Sequence, residues 1–153
     1  MRALVPAILL LAACASNPPA PDPSQQEVLE AVRAAYADLS ARKWTELASR
    51  FADGATVSMV QKPRDEAAPR IVVTPIPEFL ARLQKMTEGK SVYEEKMSSG
   101  EALVQGGVAH VWSRFEAKVG DATKVHAWTG VDAWTMLRHG GAWKIVSLAV
   151  TED

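Results

Sequence analysis

From Ser91 to the end of the chain the hydrophobic pattern has a period of two, and its breaks carry glycine. Strand-like runs cover 91–98, 101–105, 108–119, 124–137 and 142–151. Between them stand Ser99-Gly100, Gly106-Gly107, Gly120-Asp121 and Gly140-Gly141, the residue types that close hairpins. Side chains alternate across a strand, so a series of hairpins of this kind presents one apolar face that another layer must cover. A chain ending in such a meander is confined to architectures that supply the cover from upstream.

The upstream half reads as helices interrupted by short strands. Ser24-Gln25-Gln26-Glu27 is a capping-box pattern, and Val28, Val32, Ala35 and Leu39 follow at helical spacing with Leu29 and Tyr36 beside them. A second helix is expected over 43–50, burying Trp44 and Leu47 with Phe51 beyond it. Asp53-Gly54 is a turn signal, with Asp53 fixing the turn, and 55–60 favours a strand. Residues 61–70 form a charged, proline-containing loop in which Arg64, Asp65 and Glu66 are solvated. Ile71-Val72-Val73 is a short strand, and 74–77 introduces a third helix with Phe79, Leu80, Leu83 and Met86 on one side. Helices followed by an antiparallel meander define an α+β layer fold.

The amino terminus is of a different kind. Arg2 precedes an apolar run that closes on Leu11-Ala12-Ala13-Cys14, too short for the roughly 20 residues a bilayer-spanning helix needs. Leu11-Ala12-Ala13-Cys14 resembles the lipobox of bacterial lipoproteins. That resemblance implies a signal peptide over 1–13, lipid attachment at Cys14, and export to the cell envelope. Ala15 stands where an aspartate would resemble an inner-membrane retention signal, so the implied site is the outer membrane, facing the periplasm. Four prolines within 15–23 make the next stretch a stiff tether reaching up to about 30 Å. The expected organisation is signal peptide 1–13, lipidated Cys14 and proline-rich tether over 14–23, and one folded domain over 24–153.

Composition excludes several function classes. Lys+Arg 17 against Asp+Glu 18 gives a net charge of −1 and no electrostatic footprint for nucleic acid. The single cysteine of the 153-residue chain excludes an internal disulfide framework and a multi-thiolate zinc site. No phosphate loop, Gly-x-Ser-x-Gly elbow, His-x-His or His-Glu-x-x-His pattern occurs, and neither a metal nor another cofactor is expected.

Trp44-Thr45-Glu46-Leu47 leading into Phe51-Ala52-Asp53-Gly54-Ala55-Thr56-Val57 resembles the second helix and first strand of the nuclear transport factor 2-like superfamily. Ala109 through Phe115, Gly130-Val131-Asp132-Ala133-Trp134 and Trp143-Lys144-Ile145-Val146 resemble its lumazine-binding-like and SnoaL-like branches. The resemblance covers residues 25–153. It implies a cone: a strongly curved antiparallel sheet wrapped around about three helices, with a pocket at its open end, as in the cystatin-like roll. Members include steroid isomerases, polyketide cyclases, dehydratases and non-catalytic binding or dimerisation modules, so the fold leaves function open. Alignment on the steroid-isomerase branch places its base at Met59, which takes no proton, and its tyrosine at Ala35, one residue from Tyr36. Ketosteroid isomerase activity is therefore not expected.

His110, His126 and His139 and four of the five tryptophans lie between positions 110 and 143. Alternation puts His110, Trp112, Arg114 and Glu116 on one face of the 108–119 strand, and His126, Trp128, Asp132 and Trp134 on one face of the next. A three-residue turn at Gly120 would set Glu116 opposite His126, Arg114 opposite Trp128, His110 opposite Asp132, and Trp112 over Gly130. Three readings of that face stay open: a pocket wall with polar contacts from Arg114, His126 and Asp132, a dimer interface anchored by Trp and Arg, or a half-exposed supporting surface. His139 falls in a solvated turn.

The expectation is thus a lipid-anchored protein, homodimeric, binding a small hydrophobic or aromatic ligand through Tyr36, Trp112, Arg114, His126, Trp128, Asp132 and Trp134. The alternatives are a SnoaL-like isomerase, cyclase or dehydratase using Asp132 with His126 or His110 as an acid–base pair, or a non-catalytic partner-binding module of the envelope.

Overall fold

The computed structural model describes residues 23–61 and 68–153. The expected signal peptide, Cys14, the expected tether up to residue 22, and the loop residues Arg64, Asp65 and Glu66 lie outside the described residues, while Pro23, expected to end the tether, opens α1. The elements run α1 (Pro23–Ser40), α2 (Trp44–Ser49), β1 (Phe51–Gln61), β2 (Arg70–Pro75), α3 (Ile76–Thr87), β3 (Val92–Gln105), β4 (Val108–Gly120), β5 (Val125–His139) and β6 (Ala142–Glu152). One curved six-stranded sheet in the order β2-β1-β6-β5-β4-β3 carries the helices on one side, the mixed α+β arrangement expected.

The sheet is not wholly antiparallel, as the resemblance implied: β1 and β6 pair in parallel. Hairpin closure forces antiparallel neighbours only between strands joined by a short turn, and β1 and β6 are joined by the whole remainder of the domain.

Two predicted turns become irregularities within strands. Gly54, at φ +78°, sits where the β1–β6 register shifts between Phe51 and Thr56, so β1 continues through it. Likewise β3 runs unbroken through Ser99-Gly100, with a register shift between Met97 and Ser99. A Cβ on Gly100 would fall 3.0 Å from Met97 Sδ and 3.2 Å from Leu29 Cδ2, so this glycine permits close approach of α1 to the strand.

Helix α1 buries Val28, Val32, Ala35 and Tyr36 against the sheet at the spacing expected. It begins at Pro23, one residue before the proposed cap, and the Glu27 carboxylate accepts from Arg138 at 3.2 Å. Asp38, largely buried, accepts from Arg50 Nε at 2.6 Å and so ties α1 to the end of α2. The core fills the space between α1, α3 and the inner sheet face, with Val57, Val111, Phe115, Met136 and Ile145 at its centre. Among the described residues, no helix is long and apolar enough to cross a membrane.

Candidate functional site

Between α1, α3 and the inner face of the sheet the core opens into a cavity of about 240 Å³. Its walls are apolar, among them Leu39, Leu83, Phe115 and Val150, and its polar groups are Tyr36, Tyr93, Glu95, Asp132 and Glu152. A broader groove of about 730 Å³ adjoins it at Trp128 and Glu152. The groove's charges are largely paired already, Lys96 with Glu116 at 3.2 Å and Lys118 with Glu94 at 2.5 Å. Of the four buried side-chain polar atoms without a partner among the described residues, Asp132 Oδ1 and Tyr93 Oη belong to residues of the inner cavity, and Arg42 Nε and Trp143 Nε1 lie outside it.

A directed hydrogen-bond chain converges on Asp132. Trp134 Nε1 donates to Ser113 Oγ at 2.8 Å, Ser113 Oγ lies 2.9 Å from Tyr36 Oη, and Tyr36 donates to Asp132 Oδ2 at 2.5 Å. Because the Tyr36 proton is committed to Asp132, the Ser113 hydroxyl is the donor in the middle link, and every proton in the chain points toward the carboxyl group. Tyr36 and Trp134 also meet edge to face, 5.4 Å between centroids at 79°. The chain stops there: Asp132, only 2% exposed, has no hydrogen-bond partner at Oδ1, and the buried Tyr93 hydroxyl has none either.

Burial penalises the charged form of two cavity carboxyls, Asp132 and Glu95. It raises Asp132 to about 7, against the opposing effect of the Tyr36 hydrogen bond. Burial, reinforced by the neighbouring charges of Asp132 and Glu152, raises Glu95 to about 8. Burial also pushes both tyrosine hydroxyls upward, so they act as neutral donors and acceptors near neutrality.

Tyr36, Trp128, Asp132 and Trp134 line this cavity, as does Met59. The other proposed residues do not, and the reason is register. Strands β4 and β5 are joined by a four-residue turn, with Gly120 opposite Val125, in which Asp121 Oδ1 accepts from the Thr123 and Lys124 amides. Glu116 therefore faces Thr129, three positions from the expected His126, and His110 faces Thr135, at 3.3 Å between Nδ1 and Oγ1, instead of Asp132. An odd shift exchanges faces. Ala109, Val111, Ser113, Phe115 and Ala117 point into the core, and His110, Trp112, Arg114 and Glu116 point outward.

The expected pairs of His110 or His126 with Asp132 are thus absent, as is the stack of Arg114 on Trp128. Arg114 donates to Asp153 at 2.7 Å on the outer surface, and Trp112 is 64% exposed. His126 is exposed and stacks on Trp128 at 5.3 Å, beside the groove. His139 is exposed at the end of β5. Phe115, not Trp112, fills the space over Gly130: a Cβ there would fall 2.6 Å from Phe115 Cζ and 2.2 Å from the Thr151 carbonyl oxygen.

Sequence reasoning passed over Glu95, Ser113, Tyr93 and Glu152. One signal was available for Glu95. It shares a strand face with Tyr93 and Met97, so alternation turns this half-buried carboxyl group to the same side as those two large side chains.

Solved structures similar to this one share its fold. A candidate scytalone dehydratase from Novosphingobium aromaticivorans superposes with a TM-score of 0.68 at 16% identity, covering 84% of this chain and 83% of that one. The β subunit of benzoate 1,2-dioxygenase from Burkholderia mallei gives 0.67 at 14% identity, with 84% and 89% covered. A candidate dehydratase of the nuclear transport factor 2-like family from Streptomyces avermitilis gives 0.66 at 16%, with 85% and 96% covered. At these identities the likeness establishes the nuclear transport factor 2-like fold and nothing finer. No protein-family profile matches the sequence, and no curated protein matches it.

Proposed function

We propose that the domain binds a small hydrophobic or aromatic molecule in the inner cavity, on a protein held to the cell envelope by lipid at Cys14. The observation that carries the reading is the cavity's construction: apolar and aromatic walls around buried polar atoms, Asp132 Oδ1 and Tyr93 Oη, that no protein group satisfies. Buried polar atoms of a folded domain are ordinarily hydrogen-bonded, and a pocket with few convergent polar groups orients a ligand through them. The lipobox-like Leu11-Ala12-Ala13-Cys14 supports anchoring, and Ala15 supports the outer membrane with the domain in the periplasm.

Native mass spectrometry of the purified protein tests the reading, with a co-purifying small molecule expected and its loss expected in a cavity-filling Leu83→Trp variant. Retention of the molecule by that variant would place it elsewhere. For the anchor, Cys14→Ser should abolish metabolic lipid labelling, and continued labelling would refute it.

A second reading is favoured by the carboxyls raised to about 7 and 8. Groups titrating near neutrality in an apolar-walled cavity suit general acid–base chemistry of the isomerase, cyclase or dehydratase kind. That role falls to Asp132 and Glu95, since the histidines lie outside the cavity. The outer sheet face, with Trp112 exposed among charged residues, supports homodimerisation there.

A further inference from the structure

We infer that the ligand of this cavity carries a protonated amine on its hydrophobic or aromatic body, with the ammonium group seated against Asp132 and Glu95. The inference rests on the reading of the cavity as a ligand site and adds the chemical class of the ligand.

The cavity's charge inventory is one-sided. Asp132 from β5, Glu95 from β3 and Glu152 from β6 line it, and among the described residues no Lys, Arg or His does. Facing them, α1 brings the Tyr36 hydroxyl, β1 brings Met59, and α3 brings only apolar side chains. Two basic side chains beside cavity residues are engaged otherwise. The Arg42 guanidinium lies 5.9 Å from the Tyr93 ring centroid and donates to the Lys90 carbonyl at 2.6 Å, and His126 stacks on Trp128 beside the groove.

Carboxyl groups brought together in an apolar cavity without a counter-charge either hold protons or await a cation. The hydrogen-bond chain from Trp134 through Ser113 and Tyr36 turns its donors onto Asp132 Oδ2 and leaves Oδ1 unpaired at 2% residue exposure. Glu95 has no side-chain donor of its own; its backbone amide donates to Ser40 Oγ at 2.8 Å. An ammonium group has three donors and no acceptor, which matches the open Asp132 Oδ1 and the Glu95 carboxyl group. Tyr36, Trp128 and Trp134 also line the cavity, and the electron-rich face of an aromatic ring attracts a cation. With Asp132 and Glu95 ionised, a carboxylate or phosphate ligand would meet like charge at every cavity carboxyl group.

Calorimetric titration of the full-length protein with three probes of one shape tests this: 1-naphthylmethylamine, 1-naphthylmethanol and 1-naphthoate. Near pH 8 the amine should bind about tenfold or more tighter than the alcohol, the increment of one charge-assisted hydrogen bond, and the carboxylate should bind least. The amine's affinity should fall about tenfold toward pH 5 as Asp132 and Glu95 take up protons, because the amine stays protonated throughout. Glu95→Gln and Asp132→Asn should each reduce both the amine preference and the pH dependence. Should Asp132→Asn not fold, Glu95→Gln decides alone. Equal or tighter binding of the alcohol, or an undiminished amine preference in Glu95→Gln, overturns the amine inference and leaves the cavity reading standing. Absence of binding by all three probes overturns both.

Discussion

Ser113 and Arg114 are neighbours in β4 and belong to different worlds. Ser113, 1% exposed, is the middle link of a chain that orders Tyr36, Trp134 and Asp132 inside the sheet's curve. Arg114, one residue on, pairs with Asp153 on the outer surface, both side chains about half exposed. On the inner face a polar atom has no solvent to fall back on, so each hydrogen bond decides a pKa or a rotamer. On the outer face water competes for every partner, and ion pairs such as Lys96–Glu116 contribute little to stability. The same strand therefore carries a surface that tolerates change and a surface that does not, alternating residue by residue.

The sharpest way to break that contrast is from the inside. Gly130→Ala would drive a methyl group into the Thr151 carbonyl and the Phe115 ring, and urea unfolding should show a loss of about 3 kcal/mol. A loss no larger than for an outer-face substitution would mean that the β5–β6 contact yields more easily than its geometry indicates.

The pH dependence of stability separates the faces next. Carboxyls whose folded pKa lies above the unfolded value contribute their full stability below about pH 4. That contribution is lost as the pH rises toward about 7 for Asp132 and about 8 for Glu95. The unfolding free energy of the unliganded protein should thus fall by several kcal/mol from about pH 4 to pH 8, and Asp132→Asn should make the profile shallower, leaving the Glu95 part. A profile that is already flat would show that the cavity carboxyls are not held neutral by burial.

The smallest effect on folding belongs outside. Trp112→Ala should change the stability of the fold by about 0.5 kcal/mol or less and leave ligand retention unchanged. In sedimentation velocity it should shift a dimer toward monomer. Loss of the bound ligand in this variant would show that the two faces are coupled.

How much of this was legible beforehand follows from the range of the interactions. The α1 face could be read because Val28, Val32 and Tyr36 recur at a local period, and Tyr36 does enter the cavity. The β5 face could be read because alternation within one strand needs no partner, and Trp128, Asp132 and Trp134 share the inner side. What could not be read was which face of β4 lies beside them. Ala109, Val111, Ser113 and Phe115 compete there with a face rich in aromatic and ionisable residues, and chemical interest favoured the wrong one. Nor could Glu95 be tied to Asp132, since β3 and β5 are separated in the sheet by β4.

By itself, then, the sequence determined the periods, the glycine breaks, the helical faces and the layer architecture, all of which depend on residues a few positions apart. It also supplied the amino-terminal pattern at Cys14, which lies outside the described structure. Only the tertiary structure decided register. Whether the turn at Asp121 holds three residues or four costs the backbone little, yet an odd slip exchanges the two faces of a strand. The choice is made by burying Phe115 over Gly130 and Ser113 beside Asp132, contacts that exist only once the sheet has closed over its helices.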